Sequence, residues 1–169
     1  MISESVGLVK HLASSKQIQI ESAPVLGAKT INCDKQKIVQ TLTNLLSNAV
    51  KFSPSGGRVL IEVSNSRPNP NLSEFLRISV IDNGPGVPKD SRKQIFGAFE
   101  QLSSDIKQGT GLGLAICKSI VEAHGGAIGC DDGKTFSNAS LSGSTDTLSL
   151  TPAVIVVVVS PVLFGSNYR

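Results

Sequence analysis

The stretch Asp34-Lys-Gln-Lys-Ile38-Val-Gln-Thr-Leu42-Thr-Asn44-Leu45-Leu46-Ser-Asn48-Ala49-Val-Lys51-Phe52 decides how the rest of the chain is read. Ile38, Leu42, Leu45, Leu46 and Ala49 recur at helical spacing and form one apolar stripe. Asp34 is of the residue types that cap a helix N-terminus, so the spacing predicts a helix over residues 35–52. Ser53-Pro-Ser-Gly-Gly57 stops it. On the side roughly opposite the stripe, Asn44, Asn48 and Lys51 lie at i, i+4 and i+7 and share one face.

Working outward, residues 6–13 are weakly helical, and residues 17–21 alternate as a strand with Ile18 and Ile20 facing inward, followed by a turn at Pro24 and Gly27. Residues 58–63 and 74–82 are rich in β-branched residues and predict two strands joined by a polar loop with Pro68 and Pro70. Residues 82–113, with glycines and prolines at both ends, form a long excursion of the kind that usually carries function. A helix over residues 114–124 stops at Gly125-Gly126, and a strand starts at 127–130. Residues 131–151 are rich in Ser and Thr, and only 148–150 suggests a strand; residues 153–159 are apolar enough for a buried one. No regular strand–helix–strand rhythm emerges. The expected architecture is therefore α+β: a two-layer sandwich with a mixed, mostly antiparallel sheet and helices on one face.

With 169 residues, 40% of them hydrophobic and 17% charged, the chain has the composition of one soluble domain with a core that needs no disulfide. The net charge of +3 is scattered, so nucleic acid is not an expected partner. Cys33, Cys117 and Cys130 are an odd number without C-x-x-C spacing, which disfavours a disulfide framework or a zinc site and suits a cytoplasmic setting. Residues 152–165 are broken by Ser160 and Pro161 and fall short of a membrane span, and the first twenty residues lack a signal-peptide core.

Four segments carry chemistry. Asn44, Asn48 and Lys51 are, taken alone, most simply a solvated face; yet asparagines are poor helix formers, and amide oxygens one turn apart can hold a hard cation such as Mg²⁺. A strand ending in Asp82 runs into Asn83-Gly84-Pro-Gly86, which in isolation is as easily a plain turn. Gly109-Thr110-Gly111-Leu112-Gly113-Leu114 opens a helix, where free backbone N–H groups can cradle phosphates. It does not match the Rossmann spacing, and Gly133-Lys134-Thr135 lacks the upstream glycine of a Walker motif, that position being Ile128. Phe96-Gly-Ala-Phe99-Glu-Gln101 places two aromatics three apart, for which packing is the expected role of both rings.

In order and spacing, these four boxes resemble the ATP-binding catalytic domain of sensor histidine kinases, in the superfamily shared with DNA gyrase, the ninety-kilodalton heat-shock chaperone and MutL repair proteins. The likeness is strongest over residues 5–130 and includes Val121-Glu-Ala-His124-Gly-Gly126. It implies a Bergerat-type fold with a long ATP lid between Pro88 and Gln108. It further implies that Asn48, with Asn44 beside it, holds Mg²⁺ against the phosphates of ATP, and that Lys51 lies near the phosphate chain; these three are the implied catalytic residues. Asp82 would accept a hydrogen bond from the adenine amino group. Gly84 and Gly86 would let the backbone pass the base, with Phe52, Asn83, Val87 and Phe96 completing the pocket. Gly109, Thr110, Gly111, Leu112, Gly113 and Leu114 would line the phosphates.

Gyrase-like members carry a water-activating glutamate four residues before the metal-binding asparagine. Here that position is Asn44, and an amide cannot act as a general base, which favours phosphoryl transfer over hydrolysis. The implied acceptor is a histidine on a dimerising helical hairpin, with a response regulator downstream. Neither His11 nor His124 has the flanking pattern of that histidine, so the hairpin is not expected in this chain, and His124 reads as a helix-end residue favourably placed near the negative end of the dipole. Two alternatives remain open: a non-catalytic nucleotide-binding or docking module, and a gyrase- or chaperone-type ATPase.

The family's closing strand is only partly matched, at Gly133-Lys-Thr-Phe136 and at residues 143–150. The division is thus a catalytic domain over 1–151, degenerate from 131, and an atypical hydrophobic tail over 152–169. That tail reads as an extra strand of the sheet, the start of a truncated receiver domain, or sequence foreign to the natural reading frame.

Overall fold

A computed structural model describes residues 1–23, 33–66, 75–100, 110–132 and 153–159. Three α-helices, α1 (Ile2–Ser15), α2 (Lys35–Phe52) and α3 (Gly113–Ala123), join five strands, β1 (Gln19–Ser22), β2 (Arg58–Ser66), β3 (Phe75–Asp82), β4 (Ala127–Asp132) and β5 (Ala153–Val159). The strands form one sheet in the order β1-β2-β3-β5-β4. Among the described strands only β1 and β2 are parallel; every other pair is antiparallel.

The expected α2 has the bounds its sequence predicts. The Asp34 carboxylate accepts from the Lys37 N–H at 3.1 Å, satisfying a donor that a helix start leaves open. All five stripe residues are buried, and they meet Val9 and Ala13 of α1, Cys117 and Val121 of α3, and Val59, Ile61, Ile78 and Val80 of the sheet in one core. The alternation of a strand puts Ile78, Val80 and Asp82 on the same face of β3, so Asp82 is carried to the edge of the core by the same period that buries the two aliphatics.

The helix α1 is longer than residues 6–13. It starts at Ile2 because Ser5, which looks polar in sequence, is fully buried and donates its hydroxyl to Met1 O at 3.1 Å and Val39 O at 3.3 Å. The chain leaves α1 through Gln17, whose φ of 56° lies in the left-handed region, and enters β1 with Ile18 buried and Ile20 partly so.

The tail segment 153–159 lies inside the sheet. It pairs with six residues of β3 and six of β4, from Leu76↔Val159 to Ile81↔Val154 on one side and from Ala127↔Val158 to Asp132↔Ala153 on the other. Of the readings open for the tail, this placement is that of a sheet strand. The two partial matches to a closing strand lie outside the described residues.

His124 stands at the C-terminal end of α3, as the sequence reading has it, and makes contacts that the sequence does not show. Its ring is buried, its Nε2 accepts from the Asp34 N–H at 3.1 Å, and its Nδ1 lies 2.7 Å from Ile120 O. The ring thus ties the start of α2 to the end of α3.

Candidate nucleotide site

Asp82 is 6% exposed at the C-terminal end of β3. Its Oδ1 accepts from the Gly84 N–H at 2.7 Å. Burial pushes the carboxyl up to about 6, against the opposing pull of that hydrogen bond. Gly84 is required by space: a Cβ there would stand 2.6 Å from Asp82 Oδ1 and 3.3 Å from the carbonyl oxygen of Phe52. The end of α2 and the end of β3 therefore meet at a corner that only a glycine can fill. Asn83 works on the scaffold side, its Oδ1 accepting from Arg58 N–H at 2.8 Å and so closing β3 onto β2.

Asn44 and Asn48 are half-buried on the face of α2 away from the stripe, and Lys51 is half-buried at its end with Nζ 5.0 Å from the ring centroid of half-exposed Phe52. A side-chain hydrogen bond joins Asn44 to the thiol of Cys117 on α3, and that thiol, pushed up to about 11 by burial, also donates to Thr41 O at 3.7 Å. This cross-helix contact was not visible in the sequence, since neither residue type signals the other.

The excursion after Asp82 begins with Gly86 at φ 76° and continues through two 3₁₀ turns, Lys89–Ser91 and Gln94–Phe96. Val87 is partly buried against the core, and its carbonyl accepts from Arg92 Nε at 3.2 Å. Phe96 is buried in the core, but Phe99 is 73% exposed, so packing accounts for one ring only. Phe99 donates its N–H to Gly111 O at 3.0 Å, and a Cβ on Gly111, at φ 69°, would lie 2.8 Å from the Phe99 carbonyl carbon. The phenylalanine segment and the glycine turn are thus strapped backbone to backbone. Thr110 is exposed, Leu112 precedes α3 without a side-chain cap, Gly113 opens the helix with free space where its Cβ would be, and Leu114 packs on the core. Gly109 and residues 101–108 lie outside the described residues.

Together these elements place a buried carboxylate and a glycine corner at one helix end, two half-buried amides along the same helix, and an uncapped helix N-terminus opened by glycines. Such a set can recognise a base by one charged acceptor and a phosphate chain by backbone N–H groups.

The chain belongs to the family described as histidine kinase-, DNA gyrase B-, and HSP90-like ATPase, which matches residues 33–152. Within that family it is a histidine kinase ATP-binding catalytic domain with the Bergerat-type α+β fold. It is 41% identical over 126 residues to the sensor histidine kinase TmoS of Ectopseudomonas mendocina, covering 72% of this chain and 12% of TmoS. It is 38% identical over 124 residues to the sensor histidine kinase WalK of Bacillus subtilis, covering 72% of this chain and 18% of WalK. The chain thus spans a minor part of these relatives. Among solved structures, the mycobacterial sensor histidine kinase MprB superposes with a TM-score of 0.70 at 28% identity, over 94% of this chain and 91% of that one. Full-length ShkA, solved in complex with AMPPNP, does so with a TM-score of 0.70 at 30% identity, over 95% of this chain and 30% of that one.

The carboxyl at Asp82 gives a two-sided expectation. Folding raises its pKa from 3.8 to about 6, so stability falls as pH rises through that window and stays lowered above it. Asp82→Asn is expected to raise the melting temperature at pH 7.5, by an amount equivalent to at most roughly 3 kcal/mol, with no gain at pH 3.5. The same variant is expected to weaken ATP binding about tenfold or more, because a charged hydrogen bond contributes roughly 1.5–3 kcal/mol. Calorimetric titration and thermal melts at the two pH values check both; unchanged ATP affinity would remove Asp82 from base recognition.

Proposed function

We propose that this domain binds Mg-ATP and passes the γ-phosphoryl group to a histidine on a phosphoacceptor helical hairpin, as the kinase step of a two-component system with a response regulator downstream. The observation that carries the choice of transfer over hydrolysis is Asn44, an amide at the position where a hydrolase needs a general base, its side chain bonded to Cys117.

The residues fit the nucleotide and its metal. Asp82 accepts from the adenine amino group while Gly84 and Gly86 leave the base room. Among the described residues there is no cluster of three His, Cys, Asp or Glu able to hold a metal, and the amide oxygens of Asn48 and Asn44 are the groups that would hold Mg²⁺. When bound there, Mg²⁺ neutralises phosphate charge. Lys51 faces the phosphate chain, and the N–H groups around Thr110, Gly111, Leu112, Gly113 and Leu114, with Gly109, hold it in place. The hairpin imidazole attacks the γ-phosphorus in line, and ADP leaves. Catalysis is positioning and electrostatics, with the segment after Pro88 closing over the nucleotide.

Among the described residues no helix is long and apolar enough to cross a membrane, and the domain is proposed to work in the cytoplasm. The test is incubation of the purified chain with radiolabelled ATP, Mg²⁺ and a panel of purified phosphoacceptor hairpins from sensor kinases. Acid-labile, alkali-stable label on a hairpin is expected. ATP binding with no label on any hairpin would leave a nucleotide-holding docking module as the function, and phosphate release without a hairpin would return the ATPase reading.

A further inference from the structure

The last carbonyls of a helix have no partner within it. At the end of α2 the ammonium of Lys16, from the junction of α1 and β1, takes three acceptors at once: Val50 O at 3.1 Å, Lys51 O at 2.8 Å and Ser53 O at 2.8 Å. All three N–H groups of the ammonium are used. Lys16 is itself held at both backbone groups, its N–H donating to Ala13 O at 3.2 Å and its carbonyl accepting from Gly56 N–H at 2.9 Å. The next residue, Gln17, turns sharply at positive φ. The stem of Lys16 thus springs from a fixed point.

Between the pinned carbonyls of Lys51 and Ser53 lies that of Phe52, which Lys16 leaves free. It is the Phe52 carbonyl that closes on Gly84, 3.3 Å from where a Cβ would stand, and Gly84 in turn orients the Asp82 carboxylate. Fixing the peptides on either side fixes this one. The ammonium also offsets the negative end of the α2 dipole beside Lys51.

We propose that Lys16 is a positioning residue of the nucleotide site, setting the end of α2 so that the Phe52 carbonyl, Gly84 and Asp82 form the corner that recognises the base. This rests on the reading of Asp82 as the acceptor for the adenine amino group. The test compares ATP with inosine triphosphate, which carries a carbonyl oxygen where adenine has its amino group, by calorimetry on the whole chain, alongside thermal melts.

Lys16→Met keeps the stem and removes the donors. It is expected to cut the ATP-to-ITP affinity ratio by at least about fivefold, on the scale of one misplaced charged hydrogen bond. Lys16→Arg keeps the charge and some of the donors and should restore part of the ratio. A purely structural lysine would lower the melting temperature and leave the ratio unchanged in both variants, which overturns the proposal. If Lys16→Met does not fold, Lys16→Arg decides alone, a reduced ratio supporting the proposal and a wild-type ratio refuting it. A wild-type chain that binds ATP and ITP equally would instead refute the Asp82 reading, and the proposal with it.

Discussion

Ending the chain at Pro152 is expected to abolish cooperative unfolding. Among the described strands, β5 is the only hydrogen-bonding neighbour of β4 and one of two neighbours of β3, with six register pairs on each side. An antiparallel ladder of that length holds about as many backbone hydrogen bonds per side, each contributing about 1 kcal/mol net. Their sum is comparable with the roughly 5–15 kcal/mol that stabilises a typical domain. The loss is compounded because β4 brings Cys130 into the core and would lose its partner among the described strands. Two unpaired edges would also face solvent, a template for aggregation. A milder variant separates loss of the strand from loss of chain: Val156→Pro removes one N–H from the middle of β5, opposite Ser79 and Gly129, and should lower the melting temperature sharply. Circular dichroism melts test both. A truncated chain that melts cooperatively within a few degrees of the full one would show that β5 is dispensable.

Gly84→Ala is expected to weaken ATP binding about 100-fold or more, equivalent to about 2.7 kcal/mol, with a smaller effect on folding. The new methyl group would stand 2.6 Å from Asp82 Oδ1 and 3.3 Å from Phe52 O, and both are constrained atoms. The carboxylate must rotate away, breaking its 2.7 Å bond to the Gly84 N–H and losing the orientation proposed for base recognition. Any outward shift of residue 84 narrows the same corner, so recognition and room are lost together. Gly7→Ala on α1 is the matching control, because nothing lies within 4 Å of its Cβ and an alanine favours a helix. Calorimetric titration with a non-hydrolysable ATP analogue should show the first variant binding weakly and the second unchanged. An affinity for Gly84→Ala within threefold of wild type would mean that the base does not occupy this corner.

The legible parts of the molecule were those written in short-range pattern. The α2 stripe, its Asp34 cap and its stop after Phe52 are local chemistry, and the structure matches them residue for residue. Asp82 was legible as a strand-end acid before a glycine turn, although its burial depends on sharing a face with Ile78 and Val80. What stayed hidden was long-range. Nothing local marks Lys16, because its three acceptors lie 34 to 37 residues away. Ser5 disguised the start of α1 by being a buried polar residue satisfied through its own hydroxyl. The tie from His124 to the start of α2 was hidden because the Asp34 N–H that it meets is 90 residues distant. The position of β5 between β3 and β4 is a pairing choice, and an apolar run does not name its neighbours.

The spatial order of the strands also sets a schedule for synthesis. A ribosome delivers β4 before β5, yet among the described strands β4 has no partner until β5 has arrived. The strands β1, β2 and β3, with α1 and α2, can assemble as soon as they emerge, whereas the far side of the sheet must wait for residues 153–159 to be translated. During that interval the nascent chain holds an open β3 edge and a docked or drifting α3, a partly built state of the kind that chaperones shelter. Translation pauses or early stops between Asp132 and Ala153 would lengthen that exposure more than pauses anywhere upstream.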